Sequence, residues 1–404
     1  MSVFEELLKK YCPDGVEYKT LSEIGEFSNI GVDKKKVDGE KEILLLNFID
    51  VMKNMYIDKS IPKMVVTASD YKIEKCTIEE GDIFITPSSE TIDEIGFASV
   101  ITETIPNACY SYHIMRFRLF EYNMTTSIFI RYCFDSSFLR KQIRKSAQGI
   151  TRFGLTLNKW KSLKIPFPPI EVQKEIVRIL DTFTKYQDLL NRELELRKKQ
   201  YEYYQNKLLF NSKFDKVKMS DICTVNQGLQ IPISQRKKEE GKNRYFYITV
   251  QFLKGNNQDK YYIENPSENV ICDTDDILVT RTGSTGKIIT GVKGCFHNNF
   301  FKLNFFDNVN RRYVYYVLST KKMYEEMLNA ASGGTVPDLT HKAFYKLEIY
   351  FPPLDEQERI VNILDKFDAL CNDITKGLPA EIELRKKQYE YYRDKLLTFK
   401  EKKK

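Results

Sequence analysis

Nine residues, LRKKQYEYY, occur twice in this chain, at 196–204 and at 384–392, and each copy is followed closely by Lys-Leu-Leu. Upstream of each lies a second matching block, IPFPPIEVQKEIVRILDTF at 165–183 and IYFPPLDEQERIVNILDKF at 349–367, identical at eleven of nineteen positions. A chain with this pattern is a tandem of two units, each a variable module that ends in a near-identical helical segment. Keeping the helix while the attached module diverges suits a protein that presents two different readers on one common frame, and it favours recognition over catalysis.

The helical blocks carry a heptad seam. In the first copy Ile176, Leu180, Phe183, Gln187, Leu190, Leu194, Arg197, Tyr201, Tyr204 and Leu208 follow at gaps of four and three, which predicts a coiled-coil helix from about Glu171 to Phe210, roughly 60 Å long. Pro168 and Pro169 mark its start, because proline lacks a donor and restricts the residue before it. The second copy shifts by an inserted four residues at Gly377 and Pro379, a stutter that unwinds or breaks the helix. Two matched seams suit an antiparallel pair within one chain; pairing of each seam with another chain is the alternative. Gln187, Arg197 and Arg385 within the seam are read as register-fixing residues, with a face toward a partner protein as the alternative.

The modules themselves read as short strands and turns, a mixed α+β fold in two diverged copies. EILLLNFIDV (42–51) and GDIFIT (81–86) in the first answer to RYFYITVQF (244–252) and DDILVT (275–280) in the second. The expected division is a first module at 1–164, a helical spacer at 165–210, a second module at 211–348 and a C-terminal helical spacer at 349–404. The 42% apolar and 13% aromatic content is that of folded material, and no apolar run approaches the ~20 residues of a membrane span. With no legible secretory signal, the expected location is cytoplasmic. The eight cysteines show no CxxC spacing and are expected to be free thiols, and the three histidines have no metal-ligand spacing.

Charge is uneven. Between positions 131 and 164 there are nine basic side chains against the single acid Asp135, whereas the stretch 1–130 has 14 basic against 22 acidic. Arg140, Lys141, Arg144, Lys145 and Arg152 belong to this cluster, whose density suits phosphate contacts; a solvated helix face would look similar. The most pointed loop is RTGSTGK, Arg281–Lys287, directly after a strand. Basic residues at each end and a glycine-permissive backbone can place side chains against base edges and amides near phosphate. It is not a nucleotide-binding P-loop, since Arg281 replaces the first glycine and Ile288 the metal-binding hydroxyl. The run Pro13-Asp14 with Glu17 and Lys19 is too short for a nuclease centre, and the Phe-Pro-Pro motifs lack the Asn or Asp of an adenine methyltransferase.

Together these marks resemble the DNA-specificity subunit of type I restriction-modification systems, across essentially the whole chain. The marks are YCPDGVEYK (11–19), the Pro-Pro blocks with EVQKEIVRIL and DEQERIVNIL, both copies of LRKKQYEYY, and the GDI-type strand together with the RTGSTGK loop. The resemblance implies two target-recognition domains, each reading half of a bipartite double-stranded DNA site, with an antiparallel coiled coil as spacer and a pseudo-twofold tandem repeat. It implies a non-catalytic chain without a cofactor of its own. S-adenosylmethionine is expected on two docked methylation subunits, and ATP with Mg on restriction subunits that can join. Carried onto this sequence, the expected DNA contacts are Arg281, Thr282, Ser284, Thr285 and Lys287, with Ser332 and Thr335 in a later loop. In the first module they are Gln148, Thr151 and Arg152, with Arg144 and Lys145 nearby. The first module has Pro87 where Arg281 stands, so Ser88, Ser89 and Thr91 are weaker candidates there. A coiled-coil adaptor for proteins, without sequence-specific DNA binding, is the alternative from another class.

Overall fold

The computed structural model describes residues 3–251, 260–333 and 336–402. The chain divides into two units, residues 1–190 with 382–404, and residues 191–381.

The first unit holds two sheets. One is five-stranded in the order Gly25–Ser28, Met115–Leu119, Ile83–Ile85, Ala98–Ile101, Tyr56–Ile57, and antiparallel except for its last pair. The other sets Lys41–Leu46 between Met64–Ala68 and Ala108–Tyr110, the latter in parallel. The second unit repeats this plan. Cys223–Gln227, Phe300–Phe305, Leu278–Thr280 and Ile288–Ile289 form one antiparallel sheet. In the other, Arg244–Ile248 pairs antiparallel with Tyr262–Glu264 and parallel with Gly294–Phe296, which Ile271–Cys272 also joins. The α+β reading therefore holds, and the modules share a core strand order to which the first adds Tyr56–Ile57 in its larger sheet and the second adds Ile271–Cys272 in the other. The buried faces are rich in Ile, Val and Phe, which fit a pleated, enclosed surface.

Two details differ from the sequence expectation. The run 42–51 is a strand only to Leu46. Asn47 then caps a helix at Phe48–Lys53, its Oδ1 accepting from Ile49 N (2.9 Å) while Asp50 Oδ2 accepts from Asn47 N (2.9 Å). This reciprocal cap satisfies amides that apolar patterning alone does not account for. Each module also contains a helix pair, Met124–Asp135 with Ser137–Ser146 and Arg311–Leu318 with Lys321–Ala330. The run 244–252 is a strand at Arg244–Ile248, and Phe252 lies outside the described residues.

Each module closes on itself before its helix begins. Tyr18–Thr20 pairs antiparallel with Lys164–Pro166, and Lys216–Lys218 pairs with Glu348–Tyr350 in the same register. Beyond the closing strand the Pro-Pro step leads into helices Ile170–Leu209 and Leu354–Asn372. Gln173 Nε2 folds back to Pro168 O (2.8 Å) and Gln357 Nε2 to Pro352 O (2.9 Å), which fixes the direction in which each helix leaves. The predicted break is present: Leu354–Asn372 stops, Asp373–Gly377 turn, and a last helix runs Leu378–Leu396. A Cβ on Gly377 would lie 2.4 Å from Ala369 O, so the turn needs glycine there.

The seams pair antiparallel within each unit. In the first, the Phe183 ring lies 6.5 and 5.6 Å from Tyr389 and Tyr392, and the Arg385 guanidinium lies over Tyr186. In the second, Phe367 stacks on Tyr201 and Tyr204 at 6.0 and 5.6 Å. Arg197 bonds along its own helix, to Glu193 and Gln200. Each helix is also fastened to its module by a carboxylate. Asp181 Oδ1 accepts from the phenols of Tyr56 and Tyr132 (2.6 Å each). At the equivalent place in the second repeat, Asp365 Oδ1 accepts from Tyr316 and from Arg312 Nε. Tyr132 and Tyr316 are separated along the chain by the same interval as Asp181 and Asp365, so the repeat carries both partners of the contact.

The eight cysteines are free, and burial pushes the thiols of Cys223 and Cys295 up to about 12, which keeps them protonated. Among the described residues no helix is long and apolar enough to cross a membrane.

Asp181→Ala removes the shared acceptor of two tyrosine hydroxyls, leaving Tyr132 only its longer contact with Thr184 Oγ1 (3.4 Å), and should lower the free energy of unfolding by about 1–3 kcal/mol; denaturant titration should show this, with Asp181→Asn retaining part of the loss. Phe183→Ala and Phe367→Ala should each cost about 2–3 kcal/mol in the same assay, below the full-burial value because both rings are half-buried.

Candidate nucleic-acid interface

In both modules a buried threonine ends a sheet strand and braces the loop that follows. In the second unit Thr280 N donates to Lys287 O (2.9 Å), and Lys287 N donates back to Thr280 Oγ1 (2.7 Å). Thr280 Oγ1 donates to Ser284 O (2.6 Å), and Gly286 N donates to Thr280 O (2.9 Å). Thr86 makes the same four bonds in the first unit: N to Phe97 O (3.0 Å), Oγ1 from Phe97 N (3.0 Å), Oγ1 to Glu94 O (2.7 Å), and O from Gly96 N (2.9 Å). Both threonines are 0% exposed. Gly96 and Gly286 both have φ +80° and sit beneath the helix pair, against Ile143 and Met327 respectively. Between the braced ends lie nine residues, 87–95, in one module and five, 281–285, in the other.

A second loop meets the first in each module. Gln148 and Gly154 exchange backbone bonds (3.0 and 2.9 Å), and Ser332 and Asp338, at the equivalent positions of the second module, do the same (2.9 and 2.7 Å). Both hairpins turn through a left-handed glycine, Gly149 (φ +137°) and Gly333 (φ +107°). A Cβ on Gly149 would lie 1.9 Å from Arg152 O, so no other residue fits the turn.

The junction of the two loops is made differently in the two modules. In the first it is a backbone ladder, Ser88–Ser89 pairing with Phe153–Gly154, helped by Arg152 Nε on Ser88 Oγ (3.1 Å). In the second an ion pair stands beside a single backbone bond: Arg281 Nε and Nη2 donate to Asp338 Oδ1 and Oδ2 at 2.6 and 2.7 Å, and Leu339 N donates to Arg281 O (3.1 Å). The guanidinium beside it holds the Asp338 carboxyl below the usual carboxylate range. The pair is therefore complete above the ordinary carboxylate pKa and is lost as pH falls through the lowered one.

The structure separates the sequence candidates. Arg281 is about one-third exposed, Lys287 and Ser332 are exposed, and Ser284 is half-buried with its carbonyl held by Thr280. Thr285 is enclosed, its hydroxyl donating to Pro337 O (2.7 Å), and Thr282 Oγ1 donates to Asn299 Oδ1 (2.9 Å), so both hydroxyls are spent inside the loop. Thr335 lies outside the described residues. In the first module Gln148, Thr151 and Arg152 are placed at the hairpin tip, beside Ile150 at 93% exposure. Thr91 is exposed, whereas Ser89 is buried and donates to Glu94 Oε2 (2.5 Å).

The basic cluster lies on helix Ser137–Ser146, against the longer first-module loop. Arg140 donates to the carbonyls of Asp93 and Ile95, and Arg144 Nε pairs with Asp93 Oδ1 (2.7 Å). Lys141 and Lys145 are exposed and pair with no carboxylate among the described residues. With Arg393 these side chains line an open cleft of about 820 Å³. Because both groups of the Arg144–Asp93 pair are more than half exposed, the pair contributes little stability and can give way to a phosphate. The corresponding second-module helix, Lys321–Ala330, carries Glu325 and Glu326, so this basic face belongs to the first module alone. Among the described residues no group of His, Cys, Asp and Glu is placed to hold a metal ion.

Sequence reasoning did not reach the two threonine braces, Asn299 or Asp338. Arg281 and Asp338 are 57 residues apart, and spacing carries no signal at that distance. The only hint lay in the alignment of the modules, where Pro87 and Gly154 stand in their places.

The sequence matches the family described as the type I restriction modification DNA specificity domain twice, over residues 13–197 and 211–384. The chain belongs to this family. A putative type I restriction enzyme specificity subunit of Haemophilus influenzae is 35% identical in an alignment of 276 positions that covers 62% of this chain and 68% of that protein. A type I restriction enzyme specificity subunit of Escherichia coli is 33% identical over 266 residues, 60% of this chain and 65% of its own length. The fold is shared with the specificity subunit from M. genitalium (TM-score 0.52, 14% identity, 95% of this chain and 96% of that one). It is shared also with a chain from a structural study of complex assembly in a type I system (TM-score 0.63, 16% identity, 96% and 98%). The two copies of the specificity domain contain the two threonine-braced loops and the two glycine-turned hairpins.

Thr280→Val removes a fully buried hydroxyl that holds two backbone groups, and should cost about 1–3 kcal/mol in denaturant unfolding; Thr86→Val should do the same, whereas Thr91→Val, at an exposed site, should change stability by less than about 0.5 kcal/mol.

Proposed function

We propose that this chain is the DNA-specificity subunit of a type I restriction-modification complex, working in the cytoplasm and catalysing nothing by itself. Each module reads one half of a bipartite double-stranded DNA site, and the paired helices set the gap between halves and dock two methylation subunits. Those subunits carry S-adenosylmethionine, and restriction subunits that join them carry ATP and Mg. The observation that supports this reading best is the doubled loop architecture. One brace and one hairpin are built twice in a single chain, and the loops they hold differ in length, charge and sequence. A frame that is constant while its presented side chains differ is what two separate base sequences require.

Roles follow from exposure. Arg281, Lys287 and Ser332 in the second module, and Gln148, Thr151 and Arg152 in the first, are the side chains available to bases and sugars. Lys141, Arg144 and Lys145 supply sequence-independent phosphate contacts, whose contribution weakens as salt rises.

Mapping methylated adenines across the genome of the source cell, with and without this chain, tests the reading. One split motif should vanish without it, and an unchanged pattern in a cell with active methylation subunits would rule the function out. Arg281→Ala should lose about 1–3 kcal/mol of discrimination at one position of one half-site, read by competition binding, because an arginine fork on guanine contributes about that much. Equal weakening on all sequences would instead make Arg281 a phosphate contact. Deleting Leu378–Glu381, the four residues that open the last helix, should change the preferred gap or abolish assembly; unaltered spacing and assembly would remove this segment from the ruler.

A further inference from the structure

The Arg281–Asp338 pair uses only part of the guanidinium. Asp338 engages the side fork, Nε and Nη2. The end fork, Nη1 with the outer hydrogen of Nη2, makes no bond among the described residues, and the side chain is about one-third exposed. A planar guanidinium has two such forks, and one carboxylate can hold the first while the second points outward. The backbone under Arg281 is fixed from both sides: its N donates to Asn299 O (2.7 Å), and its O accepts from Leu339 N (3.1 Å). Asp338 is fixed as well, by its two backbone bonds with Ser332. An arginine side chain ordinarily gives up rotamer freedom when it is ordered. Here a neighbour has already ordered it.

The geometry points to Asp338 as the positioning residue that makes Arg281 a guanine reader: it locks the side fork so that the end fork meets guanine O6 and N7 in the major groove of the second module's half-site. This rests on the reading of the chain as a DNA-specificity subunit. The end fork has the two parallel donors that guanine's two acceptors need, and no other base presents that acceptor pair. A carboxylate has a second effect at a DNA surface, since it repels phosphate. Arg281 beside Asp338 is therefore poorly suited to a phosphate contact and better suited to a base edge. The first module lacks both members of the pair, with Pro87 and Gly154 in their places, and its loops are zipped through backbone. It accordingly has no carboxylate-held arginine at this position, where Arg152 instead rests on the Ser88 hydroxyl, and reads its half-site by other groups.

The test is base-resolved competition binding by the full chain in its assembled complex, on duplexes carrying each base at every position of both half-sites. Asp338→Ala should lower the preference for guanine at one position about tenfold, close to the loss in Arg281→Ala. The double variant should lose no more than the larger single loss, and Asp338→Asn, which keeps one acceptor, should retain part of the preference. Affinity for unrelated DNA should stay the same or rise, and thermal unfolding should remain a single cooperative transition. If Asp338→Ala and Asp338→Asn keep full guanine preference while Arg281→Ala loses it, the buttress is wrong and the specificity reading stands. If Asp338→Ala tightens binding to every sequence alike without altering base preference, Asp338 is a brake on Arg281 and the proposal is overturned. If the unaltered complex shows no preference for any split sequence, the specificity reading itself fails.

Discussion

At the same place in each copy of the helical block stands a phenylalanine, Phe183 or Phe367, whose ring packs against two tyrosines of the other copy. These contacts decide what the repeated sequence is for. The helix Ile170–Leu209 buries its seam in the first unit against Leu378–Leu396 and in the second against Leu354–Asn372. The tyrosines of LRKKQYEYY are partners for the phenylalanine of the other block. Neither copy can satisfy its own seam, since residues far apart along one straight helix do not meet each other. The duplication is therefore the condition for a paired helix within a single chain, and both modules inherit their attachment from it.

Fastening to the helix follows the same repeat. Asp181 and Asp365 each collect a phenol from a module helix, and Gln173 and Gln357 each hold the proline step that precedes the helix. The carboxylates are satisfied by groups distant in sequence, so a helix cannot rotate about its axis without leaving polar atoms unpaired, which is costly where water is excluded. The braced loops are held at their ends and differ in length and sequence between the modules.

The amount of this that was legible in the sequence depended on the range of the interaction. Heptad spacing gave the long helix almost to the residue, and Gly377 with Pro379 marked the break in the second copy, because both signals are local. Strand positions were read from short apolar runs, but Phe48–Lys53 was missed because a cap at Asn47 outweighed the apolar pattern. The loop RTGSTGK was visible as a polar, glycine-rich stretch. Which of its hydroxyls turn inward was not, since that depends on Asn299 and Pro337, brought in from elsewhere in the chain. The Arg281–Asp338 contact was invisible for the same reason. Seeing that Pro87 and Gly154 replace both members together requires knowing that the two positions touch.

The threonine brace changes what the history of such a chain can look like. Thr86 and Thr280 seal a loop at its base with four bonds that do not depend on what lies between, and nine residues sit as well in that socket as five. Exposed residues can be gained, lost or exchanged there while the backbone carbonyl that receives the threonine hydroxyl, Glu94 O or Ser284 O, stays in place. New addresses on DNA can then arise by small steps at the exposed positions of the loop, while its inward residues, Ile95 and Thr285 among them, and the apparatus that holds the modules are inherited intact.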